Sequence, residues 1–217
     1  MKCSLRSIAA TLVILALPAT VALSQSAAPK PPLIILIGPP LAGKTMYSDQ
    51  LAKAYAMPVI SIEDLIKDHT AELEQLRAPG VTLAEMRYDP AISRYFQERV
   101  KTTDLGHGLL LDGYPATVLQ GQDLAKLIPS LGLQPLVLKL EVPDDVVRAR
   151  AKKTGQESDS PAVIEQRLKD YHREFDFASA FFPNAKIVTI DGNQPEKKVW
   201  SQIEEALKGD GIEPPSH

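Results

Sequence analysis

The chain has 217 residues, enough for one domain with a stable core. Hydrophobic and charged shares of 44% and 24% are ordinary for a globular protein, and a net charge of −3 excludes a general nucleic-acid binder, which needs a basic face. One cysteine, Cys3, and four scattered histidines, His69, His107, His172 and His217, exclude a disulfide framework and a zinc site of ordinary spacing; His107 and His172 read as surface or packing residues.

In chain order, residues 1–24 come first. Lys2 and Arg6 precede an apolar run from Ile8 to about Leu17, Pro18 breaks it, and small residues gather near Ala22 and Ser24. This is the layout of a secretory signal peptide, and it predicts export to a periplasm or the outside; unused, it leaves the protein cytoplasmic. The rival reading is an uncleaved anchor, although Ile8–Leu23 is short for a membrane span. Cleavage after Ser24 removes two positive charges and takes the net charge from −3 to −5. Residues 25–32, QSAAPKPP, read as a Pro-rich linker.

Short runs rich in Leu, Ile and Val then alternate with helical patterns. The runs are 33–38, 58–61, 108–113, 135–142 and 186–192, and they read as strands buried on both faces of a parallel sheet. Helices are predicted at Lys44–Tyr55, Ile62–Lys67, Ala91–Thr102, Leu119–Ile128, Asp144–Lys153, Pro161–Phe177 and Glu196–Leu207. Repeated strand–helix units predict an α/β domain over 33–208, doubly wound, with a frayed tail at 209–217.

The first strand runs into Gly38-Pro39-Pro40-Leu41-Ala42-Gly43-Lys44-Thr45, which matches G-x-x-x-x-G-K-[ST]. Glycines let the chain turn so that successive N–H groups face phosphate oxygens, and the following helix adds its positive end. Lys44 would neutralise β- and γ-phosphates, and Thr45 would offer its hydroxyl to Mg²⁺. Leu41 either narrows this cradle or turns out to solvent. The bland alternative is an ordinary strand–turn–helix corner with a surface lysine.

Beyond the loop, the chain resembles the adenylate kinase family of nucleoside monophosphate kinases. The resemblance runs through MPVISIEDLIKD (57–68), LLLDGYPATVLQGQDL (109–124), LKLEVPDDVVRARA (138–151), RLKDYHREF (167–175) and TIDGNQPEKKVW (189–200). It implies a three-layer P-loop domain with a five-stranded parallel sheet, a helical monophosphate-binding insertion at about 61–103 and a short lid at about 152–161 with no zinc. It further implies that Gly38–Thr45 and Arg150 bind ATP, and that Asp112 with Thr45 holds Mg²⁺ through water. Lys67, Gly113, Tyr114, Gln120 and Arg167 would bind the monophosphate, with Gln120 on the base. Lys44, Asp112, Arg150 and Arg167 would carry the chemistry. The implied partners are ATP and a nucleoside monophosphate, AMP first, on a monomer that meets a membrane only through an uncleaved signal. Without the resemblance, Asp112 is a strand-end turn residue, Gln120 an exposed helix residue, and the two arginines are solvated charges.

Several positions depart from the family pattern. Ala116 stands where the family has an arginine for the acceptor phosphate, and Gln156 replaces the arginine of its lid. Ser158 and Ser160 flank Asp159, Lys67 stands in for an arginine, and Ile62 for a threonine. Phosphoryl transfer depends on positioning and positive charge, so weak activity is expected. Arg77, Arg87, Arg94 or Arg148 could compensate, since long arginines reach far, but each reads better as a surface charge. Three functions stay open: a nucleoside monophosphate kinase, an exported nucleotide binder without catalysis, and a phosphotransferase for another small acceptor.

Overall fold

The computed structural model describes residues 30–156, 159–175 and 185–215; the expected signal segment lies outside them. Five strands form one sheet: β1 (Pro32–Ile37), β2 (Val59–Ser61), β3 (Leu109–Asp112), β4 (Gln134–Glu141) and β5 (Lys186–Asp191). All pairings are parallel and the order is β2-β3-β1-β4-β5, the predicted five-stranded α/β architecture. β1 is central, so both its faces must be apolar, and residues 33–37 are all buried.

Alternate residues of β1 serve two separate cores. Leu33 and Ile35 join Leu109, Leu111 and Val137 on one face, beneath α2 (Ile62–Asp68), α4 (Ala91–Lys101) and α5 (Val118–Leu131). Ile34 and Leu36 join Leu110, Leu136 and Leu138 on the other, beneath α1 (Lys44–Tyr55), α6 (Asp144–Thr154), α7 (Pro161–Phe175) and α8 (Glu196–Lys208). Each such side chain contributes about 1.5–3 kcal/mol through burial. Among the described residues, no helix is long and apolar enough to cross a membrane.

Two elements between β2 and β3 escaped the sequence pattern. They are α3 (Thr70–Leu76), which buries only Leu73, and a 3-10 turn (Leu83–Tyr88) opened by a Thr82–Glu85 capping box. Ion pairs Arg94–Glu72 and Arg99–Asp68 tie α4 to α3 and α2, and His69 stacks on Tyr95 at 3.7 Å. α5 outruns its predicted end because Gly132, in the left-handed conformation, terminates it rather than Pro129.

Part of the tail expected to fray, up to Pro215, is described. The Ile212 N–H bonds back to the Leu207 carbonyl at 2.9 Å, and its side chain packs on the second core. A cavity of ≈ 300 Å³ at the N-terminal ends of the strands is walled by Pro31, Met57, Gln134 and Ile212. The first and last described residues, Lys30 and Pro215, both border it.

Candidate active site

The opposite, C-terminal ends of β1 and β3 hold the residues predicted to carry the chemistry. β1 pairs Leu36 with Asp112 of β3, so the loop leaving β1 starts beside the acid that ends β3. A Cβ on Gly38 would lie 2.8 Å from the carbonyl oxygen of Leu140, so only glycine lets the loop pass β4 this closely. Gly43 takes a φ of 90° and points the chain into α1, whose first turn holds no acidic residue to oppose an anion. Leu41 neither fills the cradle nor faces solvent: it is half-buried and packs on the second core.

Lys44 folds back over its own loop. Nζ donates to the carbonyls of Gly38 and Pro39, both at 2.9 Å, which leaves one of three donors for a phosphate oxygen. The residue is half-buried, and the density of protein around its ammonium lowers its pKa from 10.5 to about 8, against the opposing pull of Asp112; the charges of Arg167 and Arg87 lower it further. Asp112 is 3% exposed, and burial raises its pKa while the neighbouring Thr45 hydroxyl and Lys44 hold it down. A carboxylate penalised in this way, beside an exposed hydroxyl and a phosphate cradle, fits a Mg²⁺ held through water and substrate phosphates.

A cleft of ≈ 60 Å³ opens beside Lys44. The segment after β3 lines it with Gly113 and Ala116, α7 with Arg167 and Asp170, and the 3-10 turn with Arg87 and Tyr88. Arg167 is half-buried and lies 3.4 Å from Asp159; burial, then the charge of Arg87, lowers its pKa. The cleft admits a group the size of a phosphate. A whole nucleoside needs roughly 300 Å³ or more, so this space takes the phosphate end alone.

Other predicted residues stand differently. Gln120 is 1% exposed, with both ends of its amide engaged within the protein. Oε1 accepts from the Ala116 N–H at 2.7 Å, and Nε2 donates to the Arg87 carbonyl at 2.8 Å. Tyr114 is buried and stacked on Phe96 at 4.4 Å. Lys67 is exposed on α2 and does not line the cleft, and Ile62 is core. Arg150 bonds the carbonyls of Leu41 and Gly192, at 2.9 and 2.8 Å.

Arg77, Arg94 and Arg148 pair with Glu74, Glu72 and Glu165 at the surface, as expected. Arg87 does not follow them. The end of the 3-10 turn carries it to the cleft, against the surface-charge reading and in line with the alternative that it compensates for a missing arginine. Sequence reasoning also passed over Glu63, whose carboxylate meets Arg87 at 2.7 Å. The Thr82–Glu85 capping box, which fixes the turn before Arg87, was the available signal.

A larger cavity of ≈ 700 Å³ lies beside Pro39, between the ends of β4 and β5. Its lining pairs Lys139 with Glu141 and His172 with Asp144, whereas the smaller cleft gathers Lys44, Arg87 and Arg167 around one space.

Comparison with known proteins agrees with this layout. The family model described as adenylate kinase matches residues 36–186. The adenylate kinase of Cyanothece sp. is 34% identical over 193 residues, covering 82% of this chain and 98% of that protein. Those of Trichodesmium erythraeum and Brucella ovis are each 29% identical, over 184 and 189 residues, covering 80% of this chain and 96% and 97% of theirs. With its loop between β1 and α1 and a family match that runs from the end of β1 to the start of β5, the chain belongs to the adenylate kinase family of phosphotransferases.

Proposed function

We propose that the protein transfers the γ-phosphoryl of MgATP to a nucleoside monophosphate, with AMP the preferred acceptor, and that it does so slowly. One observation carries this reading: Lys44, Asp112 and Arg167 converge where the phosphate loop meets the cleft. The loop and the start of α1 hold the donor phosphates through backbone N–H groups. Thr45 and, through water, Asp112 would hold the Mg²⁺ of MgATP, which would neutralise phosphate charge there. Lys44 bridges donor phosphates, and Arg167 neutralises charge on the moving phosphoryl group. Arg150 shapes the loop through Leu41.

The slow rate follows from charge. Ala116 brings no cation to the cleft, and Gln156 brings none to the segment between α6 and α7. One transition-state arginine is worth on the order of 10³–10⁵ in rate. The signal-like pattern of residues 1–24 supports export of this domain.

The test is ADP formation from MgATP with AMP, CMP, UMP or GMP, beside a titration of ATP binding. Turnover highest with AMP is expected. Tight ATP binding with no turnover on any monophosphate overturns the reading.

A further inference from the structure

We propose that Arg87 is the ligand for the acceptor's phosphate monoester, and that Glu63 occupies it until the acceptor arrives. The inference rests on the kinase reading above. It starts from placement: Arg87, 23% exposed, lines the cleft with Lys44, Ala116 and Arg167. Two contacts hold it there. Nε donates to the Ala84 carbonyl at 3.1 Å within its own turn, and its backbone carbonyl takes the Gln120 amide at 2.8 Å. The same amide holds the Ala116 N–H at 2.7 Å, so one buried side chain fixes Arg87 against Ala116. Ala116 and Arg87 both line the cleft.

Charge supplies the ligand class. Three cations, Lys44, Arg87 and Arg167, border a space of ≈ 60 Å³, enough for a phosphate. They lie close enough for Arg87 to depress both of the others. Among the described residues Arg87 has one carboxylate partner, Glu63, at 2.7 Å, and that carboxylate is 56% exposed. Such an ion pair is weak and exchanges readily. A dianionic phosphate monoester brings twice the charge and a bidentate match to guanidinium. Glu63 therefore sets a threshold: an acceptor with a phosphate dianion displaces it, and a neutral nucleoside does not.

The experiment measures KM for AMP, together with equilibrium binding of AMP, adenosine and ATP, on the full chain and its variants. Arg87→Ala should weaken AMP by about 10–100-fold in both KM and binding, with ATP and adenosine within about twofold. Glu63→Gln should tighten AMP by about 2–5-fold, a gain that damage to the fold does not produce. Ala116→Arg placed on Arg87→Ala should recover most of the lost affinity from the other wall of the cleft. If Arg87→Ala binds AMP as the unaltered protein does, or if Glu63→Gln weakens AMP, the assignment fails. An unaltered protein that binds AMP but transfers nothing sinks the kinase reading alone, because the binding arm still reads Arg87. One that binds no monophosphate sinks the assignment as well.

Discussion

Arg150 donates from Nη1 to the carbonyl oxygen of Leu41 at 2.9 Å, across 109 positions of sequence. Leu41 has a φ of 57°, a left-handed conformation that costs a residue with a Cβ about 1–2 kcal/mol. The guanidinium holds that strained carbonyl with one arm and the Gly192 turn with the other. Arg150→Ala should therefore lower unfolding free energy by about 1–3 kcal/mol and weaken ATP roughly tenfold. Lysine at 150 should recover only part, because a single ammonium lacks the guanidinium fork. Urea denaturation and calorimetric titration read the two effects. Unchanged ATP affinity in Arg150→Ala would show that the loop holds its shape unaided.

Lys44 gives a pH signature. Its folded pKa is about 8, below the ordinary 10.5. Between those values the unfolded chain keeps a proton that the folded chain has released, so this group makes stability rise with pH across that window. ATP binding moves oppositely. Above about pH 8 the free protein loses the ammonium, and affinity should fall as pH climbs. Near pH 8–9 binding should take up a proton, visible by calorimetry in buffers of different ionisation enthalpy. Lys44→Ala should abolish both binding and proton uptake.

Gln120 is a brace, and its loss should appear first in stability. Gln120→Leu leaves the Ala116 N–H and the Arg87 carbonyl without partners, at a cost of about 2–4 kcal/mol. Because Arg87 loses its anchor, KM for AMP should rise with little change in ATP binding. A variant with normal stability and raised KM would instead mark Gln120 as a direct contact to the acceptor.

Asp112 should trade stability for function. Its folded pKa is raised, so stability from this group is complete at low pH and is lost as pH rises through that value. At neutral pH the buried carboxylate is therefore a burden. Asp112→Asn should raise the melting temperature while cutting turnover by about 10²–10³ and blunting its Mg²⁺ dependence. A variant that melts lower would show that the Thr45 and Lys44 contacts outweigh desolvation.

The backbone was legible where local chemistry decides it. Residues 33–37 are apolar without interruption because β1 is central and buried on both faces, and helix α1 was read to its ends. The loop glycines were legible because close approach to Leu140 and a positive φ demand them. What stayed hidden is decided by partners far away in sequence. Arg87 looks like any surface arginine until an amide 33 positions on takes its carbonyl. Leu41 faces inward only because a second core exists beneath it. The α3 helix buries one leucine and has no apolar stripe to announce it.

Lys30 and Pro215 border one cavity at the base of a sheet whose central strand spans six residues, about 20 Å. The phosphate loop lies past the other end of that strand. Anything attached at either point, whether a lipid bilayer, a bead or a fluorescent reporter, holds the domain by its foot. Nucleotides then approach from the free side, and immobilised protein should turn over and titrate as it does in solution.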